Sequence, residues 1–183
     1  LSLAAHTHFV EQVDLKNGGW KGDAEFPLLI AGAACGAWWK GPRDYHGLPV
    51  RMGMDGTPNG FFKFHFDGNQ FDFEFIPAGM PSHHQIGVRF PEREVKDADF
   101  QEKLICANIY AASAKCKVSY KIDNGDWKPM VQTIEEDPYV QDFMAAHRED
   151  YPLWMKVRKT THLWKAKEKE QIDLGIHTIE IKA

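Results

Sequence analysis

The residues best equipped for chemistry stand at the start of the chain, Leu1-Ser2-Leu3-Ala4-Ala5-His6-Thr7-His8. A short apolar stretch ends in His-x-His. Residues i and i+2 of an extended segment project to the same side, so the two imidazoles can converge on one metal ion or on two adjacent ones. Two ligands are too few for a tight site, because a catalytic zinc takes three protein ligands. His46 would supply a third for a mononuclear site, although nothing in the spacing brings it to His6 and His8. A second group is Trp38-Trp39-Lys40-Gly41-Pro42-Arg43. Gly41 and Pro42 impose a sharp, rigid path, and Lys40 and Arg43 could draw an anionic substrate. The plainer reading makes one Trp buried and one interfacial, packed against another domain, with the two cations solvated.

Other reactive types carry less. Cys35, Cys106 and Cys116 have no C-x-x-C spacing and read as small buried thiols, with a Cys106–Cys116 bridge conceivable only on neighbouring strands. His83 and His84 are adjacent, so a strand would send them to opposite faces. Ser82 and Ser113 sit in no nucleophile elbow. Gly53 and Gly56 fit neither the Rossmann nor the P-loop spacing.

These residues need a scaffold, and the scaffold reads as β. Turn signals recur at short intervals at 17–19, 41–42, 55–60, 67–69 and 123–126, with short apolar runs between them. That pattern predicts a mainly β fold, a β-sandwich with an immunoglobulin-like second part and one short helix. Residues 61–76 are the clearest element. With a Gly68-Asn69 turn, Phe66 pairs with Phe71, Phe64 with Phe73 and Phe62 with Phe75, while Lys63 meets Glu74 and His65 meets Asp72 on the other face. All six Phe are then core. Further strands are predicted at 28–35, 83–90, 103–110, 116–122, 162–165 and 175–181, the last covered on both sides. One helix is predicted from Pro138 to about Arg148, with Asp137 as its N-cap. The polar stretch 91–101 is the best internal boundary.

Composition narrows the class. The chain has 183 residues, 22 Lys+Arg against 26 Asp+Glu, a net charge of −4 and 43 % hydrophobic residues. This is the profile of a globular protein, and a slightly acidic balance excludes the usual nucleic-acid footprint. The longest uncharged run, residues 26–39, has 14 residues and contains Pro27, Gly32 and Gly36; a membrane span needs about 20. The first residues lack a basic n-region and a sustained apolar h-region, and a start at Leu1 fits a trimmed or processed chain.

Ala5-His6-Thr7-His8 resembles the last motif, G-H-x-H, of the calcineurin-like metallophosphoesterases, with Ala5 where the family has Gly. Three later blocks resemble the C-terminal domain of one bacterial branch of that superfamily: residues 31–42, residues 55–60 leading into the Phe hairpin, and Thr161-His162-Leu163-Trp164 with the terminal strand. The resemblance implies a division into residues 1–22, a remnant of the catalytic domain, and 23–183, an accessory β-rich domain. It implies a parent that hydrolyses phosphate esters with two divalent metal ions, to which His6 and His8 would each donate a nitrogen. The remaining ligand motifs, D-x-H, G-D-x-x-D and G-N-H-D/E, would precede residue 1. Asp44-Tyr45-His46 matches D-x-H only by coincidence, since it ends no apolar strand. The chain alone is therefore expected to bind no metal tightly and to be inactive. Its implied partners are its own catalytic domain and, in the parent, a phosphate-ester substrate, at a periplasmic or cell-surface location. The alternative is a stand-alone carbohydrate- or partner-binding β-sandwich with the six Trp as a stacking platform, against which Trp127 and Trp164 sit where Trp plugs a sandwich core.

Overall fold

The computed structural model describes residues 1–89, 100–173 and 175–183, with the backbone alone for 100–103. In chain order the strands are β1 (Ser2–Ala4), β2 (Glu11–Asp14), β3 (Pro27–Ile30), β4 (Gly60–Asp67), β5 (Gln70–Pro77), β6 (Ile86–Arg89), β7 (Phe100–Lys103), β8 (Cys106–Ile109), β9 (Ser119–Ile122), β10 (Lys128–Glu136), β11 (Lys159–Ala166), β12 (Glu170–Asp173) and β13 (Ile179–Lys182). The helix α1 (Pro138–Ala146) and a 3-10 turn at Arg148–Asp150 lie between β10 and β11. The fold is mainly β, a sandwich with one α-helix among the described residues.

The centre is an antiparallel six-stranded sheet in the order β13-β9-β10-β11-β8-β6. Strand alternation sends Ala107, Ile109, Tyr120, Met130, Trp164 and Ala166 into one core, edged by Ile86, Ile122, Ile179 and Ile181. Its other face carries Asn108 and Leu163. β1, β3 and β2 form a small sheet in which β1 runs parallel to β3 and β2 antiparallel to it. β12 pairs with β7.

The hairpin β4–β5 has the predicted register throughout, down to Asp67 opposite Gln70 around the Gly68-Asn69 turn. Its six Phe are not all core. Only Phe75 is buried; Phe62, Phe64, Phe71 and Phe73 are half-buried, and Phe66 is 59 % exposed. The two strands form a separate sheet, so cover on the Phe face thins from its base toward the tip. Helix α1 starts as predicted, with Asp137 accepting the Tyr139 N–H at 2.9 Å and Pro138 following. Val140 and Met144 are its buried residues, packed with Ala37, Met54, Tyr151 and Met155.

Four expectations are corrected. The strand predicted at 103–110 is two strands in different sheets, β7 and β8, parted by Leu104 and the wholly buried Ile105. The longest strand, β10, was missed because its side chains are mostly polar or exposed; pairing with β9 and β11 holds it. The last strand is half-covered on one face and exposed on the other. Trp127 plugs no core: it is 40 % exposed, with the Lys182 ammonium 4.0 Å from its ring centre. All three cysteines are free. Of the boundary predicted at 91–101, residues 91–99 lie outside the described residues and 100–101 open β7. No helix among the described residues is long and apolar enough to cross a membrane.

Candidate functional site

The His-x-His segment is a turn, not the end of a strand. β1 stops at Ala4, and His6 (φ 88°) and His8 (φ 61°) both take left-handed backbone. Each such residue costs roughly 1–2 kcal/mol, so the turn persists only because its surroundings hold it. His6 is exposed. His8 is half-buried, its ring stacked on Trp38 at 4.1 Å between centroids and 8° between planes. Its Nδ1 lies 3.3 Å from the Gly36 carbonyl oxygen. Between the two, the Thr7 hydroxyl is buried without a partner among the described residues.

The loop beneath is itself strained, with Trp38 (φ 53°) and Trp39 (φ 57°) left-handed. Gly36 (φ 66°) permits its entry, since a Cβ there would lie 2.8 Å from the Met52 backbone nitrogen. Trp39 and Trp154 are exposed, Trp154 standing edge-on to Trp38. Lys40 and Arg43 are exposed on the same loop.

Behind the turn lies a buried polar network that sequence reasoning did not find. Asp55, wholly buried, accepts the Val10 N–H at 2.7 Å, the Thr57 hydroxyl at 3.0 Å and the Thr57 N–H at 3.2 Å. His162 Nε2 faces the same carboxylate at 3.3 Å, and its Nδ1 faces Asn108 Oδ1 at 2.7 Å. Asn108 donates through Nδ2 to Asp137 at 2.7 Å and to the Asp55 carbonyl at 2.9 Å. Arg89 Nε donates to Asp137 at 3.0 Å. Burial works against the Arg89 charge, but Asp137 and Tyr110 together outweigh it and hold the guanidinium above its ordinary value. The buried Asp137 carboxylate thus has a cationic partner in Arg89, which buried charge requires.

A β-bulge brings His162 there. Thr133 pairs with Leu163 but Glu135 pairs with Thr160, so β11 carries one extra residue at this point. A bulge re-aims side chains, and His162 thereby joins Asn108 on the sheet face toward Asp55. Gly56 (φ 83°) lies over the network, where a Cβ would come 2.3 Å from Asp137 Oδ2. The visible signals were the Asp55–Asn59 turn and the His162-Leu163-Trp164 block; the Asn within the apolar run of β8 was the one overlooked.

The other sequence candidates do not assemble. His46 is exposed, its ring on Tyr45. Among the described residues no three His, Cys, Asp or Glu side chains form a group that could hold a metal ion. The tryptophans make no shared platform: Trp164 is core, Trp20 meets Phe26 edge-on, and Trp38 is covered by His8.

The family model for the C terminal of calcineurin-like phosphoesterase matches residues 29–183. The chain belongs to this family. The match includes Trp38, Trp39, Lys40 and Arg43 and every side chain of the buried network, whereas His6, His8 and Val10 precede it. No curated protein and no solved structure matches the chain.

Proposed function

We propose that this chain is the accessory domain of a two-metal phosphoesterase, joined at its start to the closing turn of the catalytic domain, which it braces. The observation that carries the reading is His8. With Nδ1–H directed at the Gly36 carbonyl, Nε2 is the ring's lone-pair nitrogen, and metal-ligating histidines characteristically give their other N–H to such an acceptor. His6 is open to solvent in the same turn. The donors therefore fit a metal centre as a partial set of two, the other ligands coming from the catalytic domain. Bound divalent ions would supply charge clamping of phosphate oxygens and an activated water. This domain's own residues orient His8, and Trp39, Trp154, Lys40 and Arg43 form an apolar and cationic rim beside it, suited to the interdomain contact and the edge of the substrate mouth. A periplasmic or cell-surface parent belongs to the same reading.

In the full-length parent, Mn²⁺-dependent hydrolysis of p-nitrophenyl phosphate is expected, lost on chelation. His8→Ala is expected to lower kcat roughly 100-fold or more, beyond the usual effect of losing an outer partner. The 183-residue chain alone is expected to show no chelator-sensitive hydrolysis. Robust hydrolysis by the isolated chain, or an unimpaired parent lacking residues 29–183, would overturn the reading.

A further inference from the structure

We propose that Asp55 and Trp38 are positioning residues that hold His8 in the direction of the catalytic metals and against the Gly36 carbonyl that selects its tautomer, with His162 and Asn108 locking Asp55 from behind. This rests on the functional reading above and deepens it, placing residues of the accessory domain directly around a metal-ligand turn.

Three holds converge on the His8 turn, two from the loop of Gly36 and Trp38 and one from Asp55. The Trp38 ring lies flat against the imidazole. The Gly36 carbonyl accepts from Nδ1. Two residues on, the chain is tied down by the Val10 N–H, which donates to Asp55 Oδ2 at 2.7 Å; Val10 itself is buried. A turn with two left-handed histidines has no such rigidity of its own. Strain of this kind persists only where the surroundings over-determine it.

Asp55 in turn has no freedom to move. Its Oδ2 accepts from the Val10 N–H and the Thr57 hydroxyl and faces His162 Nε2 at 3.3 Å, and its Oδ1 accepts from the Thr57 N–H. The Asn108 amide is oriented by two acceptors, the Asp55 carbonyl and Asp137, so its oxygen must face His162 Nδ1, which donates. That leaves Nε2 directed at the Asp55 carboxylate. The chain of bonds therefore runs from the helix cap Asp137 through Asn108, His162 and Asp55 to the residue that fixes the His8 turn. A network needed only for core stability would not have to end there.

Two measurements decide the matter. In the ¹⁵N-histidine-labelled 183-residue chain, neutral His8 is expected to be the Nδ1–H tautomer, and Trp38→Leu is expected to leave a mixture of tautomers. In the full-length parent, titration with Mn²⁺ alone should show affinity lowered about 10- to 100-fold by Trp38→Leu and by Asp55→Asn, with the far-ultraviolet spectrum retained. Trp127→Leu, an exposed tryptophan outside these holds, should leave affinity within about twofold. Trp38 is only half-buried, so its variant tests the idea even if Asp55→Asn fails to fold. An Nε2–H tautomer in the unaltered chain, or unchanged Mn²⁺ affinity in the folded variants, would overturn the positioning role alone. An unaltered parent that takes up no Mn²⁺ would overturn the functional reading instead.

Discussion

Gly56 shows how closely single residues are constrained around the network. Its positive φ and the 2.3 Å approach of any Cβ to Asp137 exclude a side chain. Gly56→Ala therefore combines left-handed strain with a clash against buried polar atoms, and should lower stability by at least about 2 kcal/mol, measured by urea unfolding. Cys106 makes the opposite point about reactivity. Burial raises its thiol to about 12, and the thiolate is the reacting species. A thiol reagent at pH 8 should leave Cys106 unmodified in the native chain and label it only after unfolding, read by mass spectrometry of the peptides.

At the scale of elements, the hairpin β4–β5 and the helix α1 are held in different ways. The hairpin is held at its base. Phe75→Ala removes a buried ring that meets Phe62 and Tyr110 and should cost about 3–5 kcal/mol. Phe66→Ala, near the tip, should stay within about 0.5 kcal/mol of the parent value. Similar costs for both would mean that the Phe face is covered along its whole length. Helix α1 is held at its N-cap. Asp137 caps Tyr139, pairs with Arg89 and accepts from Asn108. Asp137→Ala leaves a buried guanidinium without its carboxylate, and should destabilise by about 3–5 kcal/mol rather than the ~1 kcal/mol of an ordinary cap.

Across the whole molecule, the chain's end is joined to the sheet through a titratable pair. The hydrogen bond to Asp123 holds His177 above its ordinary value, and the bond from His177 holds the Asp123 carboxyl below its own. The Thr178 N–H donates to the other Asp123 oxygen at 2.8 Å. The His177 contribution is present below its unfolded value of about 6.5 and fades as pH rises through the raised folded value. The Asp123 contribution is present above about 3.9 and fades as pH falls through the depressed one. The pair is thus strongest between about pH 4 and 6.5. Protection of the Thr178 amide against hydrogen exchange should weaken above the His177 midpoint, and His177→Gln should abolish that pH dependence. A His177 midpoint at or below the ordinary value, measured by NMR titration, would refute this account.

Local rules made much of this architecture readable before any fold was known. The period-two Phe pattern and the Gly68-Asn69 turn dictate the hairpin register, because both act over a few residues. Asp137-Pro138 marks a helix start for the same reason. The turn at His6 and His8 was not readable, since its left-handed backbone exists only against the Trp38 loop. Nor was β10, whose polar face carries no burial signal and whose strand state comes from its neighbours. The buried network is the extreme case. His162 and Asp55 lie 107 positions apart, and a one-residue bulge turns the ring onto the right face of the sheet. Neither the closure of so long a loop nor the side on which an irregular strand presents a residue leaves a trace in composition or periodicity, because both are settled by packing among distant segments.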